Sequence, residues 1–204
     1  MEDYVVAQIR SAHGNRLGLY AIFDGHSGQH VADWLQSHLF DNILDEPDFW
    51  TKPESAIKRD YKETDNEILD EVVGARRGGS SAVTAILING EKLIVANMGE
   101  SRAIICSNGA AKQLSVDHEP EKERDMVESK GGLVSQKPGN VSRVDGQLAM
   151  TRAFGDQSLK QQITSKPDVT TEMIDQETEF IILGSDGLWK VMSNQEAADS
   201  MRGI

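Results

Sequence analysis

The sequence contains a single cysteine, Cys106, among its 204 residues. One thiol cannot build a disulfide framework, so the fold must depend on a hydrophobic core, and a reducing compartment is expected. No apolar run approaches membrane-spanning length, and the N-terminal residues MEDYVVAQIR lack the pattern of a signal or transit peptide. We therefore expect a cytoplasmic or nuclear protein that has no membrane as a partner.

Basic residues are also scarce, because 21 Lys and Arg stand against 33 Asp and Glu, which gives a formal net charge of −12. Phosphate backbones would repel such a chain, so no nucleic acid is expected as a partner. Hydrophobic residues make up 38% of the chain and charged residues 26%, as in globular proteins. The length fits one domain, residues 1–204, and a monomer is the simplest expectation.

Apolar periodicity predicts several strands and helices. YVVAQIR and LGLYAIF are typical of two strands joined by a turn at 13–15, and an amphipathic helix follows from Gln29. A second helix is predicted over roughly Glu54 to Val73. Near the C-terminus, EFIILG indicates a buried strand, and NQEAADSMR indicates a helix capped by Ser193 or Asn194.

Two Asn-Gly pairs mark the middle of the chain, at 89–90 and 108–109. Asn-Gly favours two-residue hairpins, because both turn positions need positive φ. We therefore expect an antiparallel meander, followed by a short helix in EPEKERDMVES and a turn-rich candidate flap over about residues 119–144. Helices at both ends of a strand-rich middle indicate antiparallel sheets covered by helices.

Two apolar strands lead into Asp-Gly pairs, in AIFDG and IILGSDG, which places Asp24 and Asp186 at strand ends. Asp-Gly is also an ordinary turn pair, and the copy at 145–146, which follows no apolar strand, is interpreted as a turn. Glu2 and Asp3 add two carboxylates beside another strand. Clustered carboxylates repel one another unless a cation lies between them, and oxygen ligands suit Mg²⁺ or Mn²⁺ rather than zinc.

Histidine completes the candidate site, because His26 lies two residues after Asp24. A single histidine is more often structural, but beside a candidate metal ligand it is better interpreted as a general acid. The remaining four histidines are expected to be structural, at turns, on helix faces or in the core: His13, His30, His38 and His118.

Three other phosphate or acyl-transfer chemistries can be set aside. GARRGGSS lacks the lysine of a P-loop, and GGSSA lacks the closing glycine of a nucleophile elbow. Lys112 stands six residues after Cys106, where a thiol phosphatase would need an arginine, so Cys106 is expected to be a packed strand residue.

Seven motifs, in order along nearly the whole chain, resemble the metal-dependent protein Ser/Thr phosphatases of type 2C. Their residues look most like those of plant members. They are MEDY, FDGHSG, GGSSAVTAILI, VANMGESRAII, LSVDHEP, GQLAMTRAFGD and SDGLWKVMSNQE. The resemblance implies a four-layer α-β-β-α sandwich, in which two antiparallel β-sheets are flanked by helices. It also implies two Mg²⁺ or Mn²⁺ ions, and phosphoprotein substrates that carry phosphoserine or phosphothreonine.

Carried over residue by residue, the resemblance implies that Asp24 bridges two ions. Glu2 and the carbonyl of Gly25 would bind one ion, and Asp186 would bind the other. In this interpretation the strand ends at Phe23, so that Asp24 and Gly25 face the ions while His26 faces the substrate. Water activated by the ions would attack phosphorus, and His26 would protonate the departing seryl or threonyl oxygen.

The chain departs from the pattern of the family at four places. An arginine before MED and an aspartate pair after the last helix are not in the sequence, so the domain is expected to be incomplete at both ends, with unpaired edge strands. Glu100 and Lys190 occupy positions where many members have the aspartates of a weaker third metal site. A lysine there would repel a cation, which argues against a third ion.

Two alternatives to an active phosphatase therefore stay open. In the first, the chain is a catalytically weak relative that binds phosphoproteins or kinases. The missing arginine and aspartate motivate this alternative. In the second, the chain is a fragment of a longer phosphatase or comes from an incomplete gene model. Met1 motivates this alternative, because it stands where the family has an internal methionine.

Overall fold

The computed structural model describes residues 2–202. It contains twelve strands, a 3-10 helix at Gln157–Leu159 and five α-helices in that range. The strands are β1 Asp3–Ala12, β2 Asn15–His26, β3 Gly79–Ser80, β4 Ala82–Ile88, β5 Lys92–Met98, β6 Arg102–Ser107, β7 Ala110–Gln113, β8 Val134–Gln136, β9 Ser142–Val144, β10 Phe154–Gly155, β11 Asp168–Met173 and β12 Thr178–Gly184. The helices are α1 His30–Asp45, α2 Pro53–Glu71, α3 Arg124–Ser129, α4 Asp186–Trp189 and α5 Asn194–Arg202.

The predicted four-layer α-β-β-α sandwich is confirmed. A seven-stranded antiparallel sheet has the order β10-β3-β2-β4-β5-β11, with β1 also paired to β2, and a three-stranded sheet has the order β12-β6-β7. Helices α1 and α2 bury their apolar faces against the large sheet, and α5 packs on the outer face of the small one. The core between the two sheets is aliphatic, formed by Val83, Ala85, Leu93, Val95, Ala103, Ile105 and Leu114.

The two predicted long helices form because their apolar residues repeat at helical spacing and find the large sheet. The buried positions of α1 include Val31, Ala32, Leu35 and Leu39, as the spacing predicts. In α2 the predicted inner residues Ala56, Ile57, Tyr61 and Ile68 are buried, and Leu69 packs at the edge of the same cluster.

Both Asn-Gly hairpins are confirmed. Asn89 and Asn108 have φ of 55° and 49°, and the glycines that follow them also have positive φ. The predicted continuous meander is wrong, because β4–β5 belongs to the large sheet whereas β6–β7 belongs to the small one. The chain changes sheets at Gly99–Ser101, and local hairpin signals carry no information about which sheet a hairpin joins.

The remaining elements agree with the prediction only in part. The short helix α3 begins at Arg124 rather than near Pro120, and the candidate flap contains the small β8–β9 hairpin. Strand β12 is only partly buried, because within residues 2–202 it pairs with β6 alone and forms an edge. Cys106 is a fully buried residue of β6, as predicted.

Helix α5 has a capping box that resolves its predicted N-cap in favour of Ser193. The Ser193 hydroxyl accepts a hydrogen bond from the Glu196 amide at 3.2 Å, and the Glu196 carboxylate accepts one from the Ser193 amide at 2.8 Å. This reciprocal pair satisfies amides at the start of the helix. No helix among the described residues has the length and hydropathy needed to cross a membrane.

Candidate metal and catalytic site

The β1–β2 hairpin brings the N-terminal carboxylates to the predicted site. In its register Asp3 lies directly opposite Asp24, and the amide of Gly25 donates a hydrogen bond to the carbonyl of Glu2 at 3.2 Å. A Cβ at Gly25 would lie 2.8 Å from that carbonyl oxygen, so only glycine allows so close an approach. The hairpin therefore places Glu2, Asp3, Asp24 and Gly25 side by side.

Strand β2 does not end at Phe23, as the sequence suggested. It continues through His26 and changes partner, because Gly25 and His26 pair with the short strand β3 at Ser80 and Gly79. The AIFDGH segment is thus held on both sides as a strand, and the site is built on a rigid element instead of a turn.

Asp186 reaches the same place from the other sheet. It is the first residue of α4, directly after β12, and the hydroxyl of its neighbour Ser185 donates a 3.4 Å hydrogen bond to Asp3. Burial, followed by the charges of Asp3 and Asp186, raises the pKa of Asp24 to about 6. The carboxylates of the two sheets therefore converge closely enough to disfavour ionisation of Asp24.

Lys190 is the positive charge at this cluster. Its ammonium group contacts the carboxylate of Asp186, one helical turn earlier, and this contact raises the pKa of the lysine. Burial raises the pKa of the nearby Glu100 to about 7, against the lowering effect of Lys190. The positions Glu100 and Lys190, noted in the sequence as departures, are thus electrostatically coupled to Asp186.

His26 is held by an aspartate far away in the sequence. Its Nε2 atom lies 2.7 Å from Oδ2 of Asp156, whose side chain is 4% exposed. The Nδ1 atom of His26 is buried and has no hydrogen-bond partner within residues 2–202. Because Nε2 is bonded to Asp156 and Nδ1 is buried, contact between Nδ1 and a substrate group requires the ring to move from this orientation.

Glycines make room for the Asp156 side chain. A Cβ at Gly79 would overlap the Asp156 carboxylate, and one at Gly155 would lie 2.5 Å from the carbonyl oxygen of Gly78. Asp156 itself has a φ of 50°, in the left-handed region that aspartate tolerates. The Gly-Gly pair that the sequence analysis rejected as a P-loop therefore serves close backbone packing beneath His26.

His118 has the structural role predicted for it. Its Nδ1 atom accepts a 3.0 Å hydrogen bond from the amide of Gly99, and its Nε2 atom lies 2.7 Å from Asp168. The side chain is 1% exposed, and burial lowers its pKa. Both ring nitrogens are satisfied, so no part of the imidazole is left for chemistry.

The donor set at the two-sheet junction fits a hard divalent cation. It consists of carboxylate and carbonyl oxygens, which Mg²⁺ and Mn²⁺ prefer, and the mutual repulsion that raises the pKa of Asp24 would be relieved by such an ion. Within residues 2–202, no three acidic, histidine or cysteine side chains already surround one point as ligands. Ion binding would therefore require side-chain rotation, including release of Asp186 from Lys190.

Sequence reasoning missed Asp156 as a partner of His26. The two residues are 130 positions apart, and no local pattern in TRAFGD indicates which side chain it will meet. Asp3 was noted only as the neighbour of Glu2, and its place opposite Asp24 depends on hairpin register.

Comparison with known proteins identifies one family and relatives in plants. A family model described as protein phosphatase 2C matches residues 2–203. The chain is 62% identical to probable protein phosphatase 2C 39 of Arabidopsis thaliana over 204 residues, which are 100% of this chain and 71% of that protein. It is 63% identical to probable protein phosphatase 2C 28 of the same plant, over 99% of this chain and 60% of that protein.

A solved structure shows the same fold. The crystal structure of a phosphatase from a pathogenic strain of Toxoplasma gondii superposes with a TM-score of 0.84, over 99% of this chain and 77% of that one. The two sequences are 22% identical, so this likeness bears on the fold alone. The chain spans 60% to 71% of the length of the two plant relatives named above.

Proposed function

Because the chain belongs to the protein phosphatase 2C family, we propose that it hydrolyses phosphoserine and phosphothreonine in proteins, with two Mg²⁺ or Mn²⁺ ions as cofactors. The observation that carries this proposal is the convergence of Asp3, Asp24 and Asp186 from two sheets onto one place. Such a concentration of negative charge is unfavourable by itself and suits a site for divalent cations.

The residues that would hold the ions are those predicted from the resemblance. Asp24 would bind both ions, Glu2 and the Gly25 carbonyl would bind one of them, and Asp186 would bind the other; the hairpin register beside Asp24 and the position of Asp186 at the start of α4 support this. Bound cations would lower the pKa of a water molecule and offset the charge of the phosphoryl group. The chain itself would hold the ligand oxygens at the ends of strands and helices, where the backbone is fixed.

His26 is proposed as the general acid for the leaving oxygen. Asp156 accepts a hydrogen bond from Nε2, and Nδ1 is the ring nitrogen without a partner among the described residues, so a small movement of the ring would offer it to the leaving oxygen. A protonated imidazole is the form that donates a proton to an alkoxide. Phosphoserine and phosphothreonine need such a donor, because their alcohols are poor leaving groups.

Lys190 argues against a third ion beside Asp186 and Glu100. Its ammonium group already contacts Asp186 and interacts favourably with Glu100. A cation placed there would be repelled by a fixed positive charge at close range. We infer that the site holds two ions and not a third.

A cavity beside the carboxylates offers space for the substrate. It has a volume of about 390 Å³ and lies between α4 and the flap formed by residues 119–144. Its lining includes Glu100, Glu119, Val141, Asp186 and Trp189. Asp186 is the proposed ion ligand that lines this cavity, so a phosphoprotein segment bound in it would lie next to one side of the proposed site.

The alternative, a phosphoprotein-binding module without turnover, is favoured by one observation. Lys190 contacts Asp186, and this contact competes with a cation for the same carboxylate. A phosphothreonine peptide distinguishes the two functions. The phosphatase proposal predicts phosphate release that EDTA stops, whereas a binding module would retain the peptide unhydrolysed, with equal affinity in the wild type and in Asp24→Ala.

A further inference from the structure

A second acidic cluster lies in the outer helical layer, where α1 packs against α2. It surrounds a cavity of about 200 Å³ lined by Asn42, Asp45, Glu46, Asp60, Glu63, Thr64 and Glu67. Residues from α1 and α2 both follow helical spacing, so each helix presents one polar stripe to the other. None of the residues assigned to the phosphatase site lines this cavity.

Asp60 is the buried residue of the cluster. It is 3% exposed, and its Oδ2 atom has no hydrogen-bond partner in the described part of the chain. Buried carboxylate oxygens are ordinarily paired, because leaving one without a partner costs the full desolvation of that group. An unpartnered oxygen lining a polar cavity indicates a missing ligand.

The charges around Asp60 point to a cation as that ligand. Five of the seven lining residues are acidic. Arg59 donates to Glu46 with an Nε–Oε2 distance of 2.8 Å and also contacts Asp48, and it is the one basic side chain paired with a lining carboxylate within residues 2–202. Burial and the charges of the lining glutamates raise the pKa of Asp60 to about 8.

Neutral oxygens complete a ligand set. The Nδ2 atom of Asn42 donates to the Thr64 hydroxyl at 3.1 Å and to the Glu67 carboxylate at 3.3 Å, so the amide lies inside the cluster and a half-turn of it would present its oxygen to an ion. Carboxylate, amide and hydroxyl oxygens together suit Ca²⁺ best, since Ca²⁺ accepts six to eight oxygens in irregular geometry. We propose that the α1–α2 cavity is a divalent cation site, with Asp60 as its innermost ligand and Ca²⁺ as the preferred ion.

Binding would require the outer ligands to move. Over residues 2–202, no three acidic side chains already surround one point in this cavity. Glu63 and Glu67 are exposed, so both can turn toward Asp60 by rotating about their side-chain bonds. The ion would then cross-link the C-terminal half of α1 to the middle of α2.

The test is calorimetric titration of Ca²⁺ into the Asp24→Asn variant, in which the phosphatase site is disabled. We expect one class of Ca²⁺ site to remain there, and we expect the added Asp60→Asn substitution to weaken it at least tenfold. Adding Glu67→Gln, at an exposed position that cannot endanger folding, should weaken it several-fold. Asp70→Asn, exposed on the same helix but outside the cavity, is the matched control and should change nothing.

Two results would overturn the proposal. One is the absence of Ca²⁺ binding to the Asp24→Asn variant at millimolar concentration. The other is binding that Glu67→Gln and Asp60→Asn leave as strong as Asp70→Asn does. Neither result depends on phosphate release, so the cation site and the phosphatase proposal fail or survive separately.

Discussion

The Nε2 atom of His26 lies 2.7 Å from Oδ2 of Asp156, although 130 positions separate the two residues in the chain. The pair joins the end of β2 to the segment after β10, and it is possible only because Gly79 has no side chain between them. The contact links His26, the predicted general acid, to the buried carboxylate of Asp156. The sequence analysis had assigned no role to Asp156.

This pair predicts a dependence on the leaving group. His26→Ala should lower kcat on a phosphothreonine peptide about 100-fold, because proton donation to the leaving oxygen is lost. The same variant should lose far less on p-nitrophenyl phosphate, whose phenolate leaves without a proton. Steady-state kinetics on both substrates measure the difference, and equal losses on both would contradict the general-acid role.

Asp156 should act through His26. Asp156→Ala is expected to lower kcat on the peptide about tenfold, with little change in KM, because the imidazole loses the hydrogen bond that orients it. Combined with His26→Ala, it should cost little more than His26→Ala alone. Full additivity of the two losses would show that Asp156 acts on something other than His26.

Gly79→Ala should destabilise the protein by about 2 kcal/mol, because the new methyl group overlaps the Asp156 carboxylate and lies close to the Phe154 carbonyl. Urea unfolding measures this loss. Gly187→Ala is the matched control, since a Cβ there would have no neighbour nearer than 4.0 Å. Equal stability of the two variants would show that the strand can shift to accept a side chain.

Lys190→Met should increase the affinity of the phosphatase site for Mn²⁺. The substitution frees Asp186 from its ion pair and removes a positive charge, so the Mn²⁺ concentration for half-maximal activity should fall about threefold to tenfold, a modest effect because the lysine is solvent-exposed. Lys190→Arg keeps the charge and is the control. Weaker Mn²⁺ activation of the methionine variant would mean that Lys190 supports the ions instead of competing with them.

Asp60 should make the metal-free protein less stable as pH rises. Its pKa is about 8 in the folded state and near 3.8 in the unfolded state, so between these values the folded chain holds a proton that the unfolded chain has lost. Stability therefore falls with increasing pH across that window. Between pH 5 and pH 7.5 in EDTA, wild type should lose roughly 3 kcal/mol more than Asp60→Asn. Parallel urea curves for the two proteins would contradict this.

The parts of the fold that the sequence predicts are those set by local patterns. Helices α1 and α2 follow from apolar spacing, and both Asn-Gly hairpins follow from turn chemistry. The assignment of β6–β7 to a second sheet did not follow, because it depends on the sharp change of direction between Met98 and Arg102. The aliphatic composition of β12 predicts a buried strand. In the structure β12 is only partly buried, because within residues 2–202 it lies at a sheet edge.

The candidate site divides in the same way. Asp24, Gly25 and Asp186 could be proposed from the sequence because an apolar strand leading to Asp-Gly is a local signal, and their roles stay a prediction. The extension of β2 through His26 was not, since the partner strand β3 has only two residues and lies more than fifty positions later. The coupling of Lys190 to Glu100 also depends on tertiary contact, and sequence indicated only that both residues depart from the family pattern.

The central claim is that the carboxylates at the two-sheet junction support phosphatase activity with divalent cations. The most direct measurement is phosphate release from a phosphothreonine peptide across a Mn²⁺ titration, with EDTA and Asp24→Ala as controls. The account predicts release that rises and saturates with Mn²⁺ and is lost in both controls. No release at millimolar Mn²⁺ from a chain that circular dichroism shows to be folded, or release that survives Asp24→Ala, would contradict it.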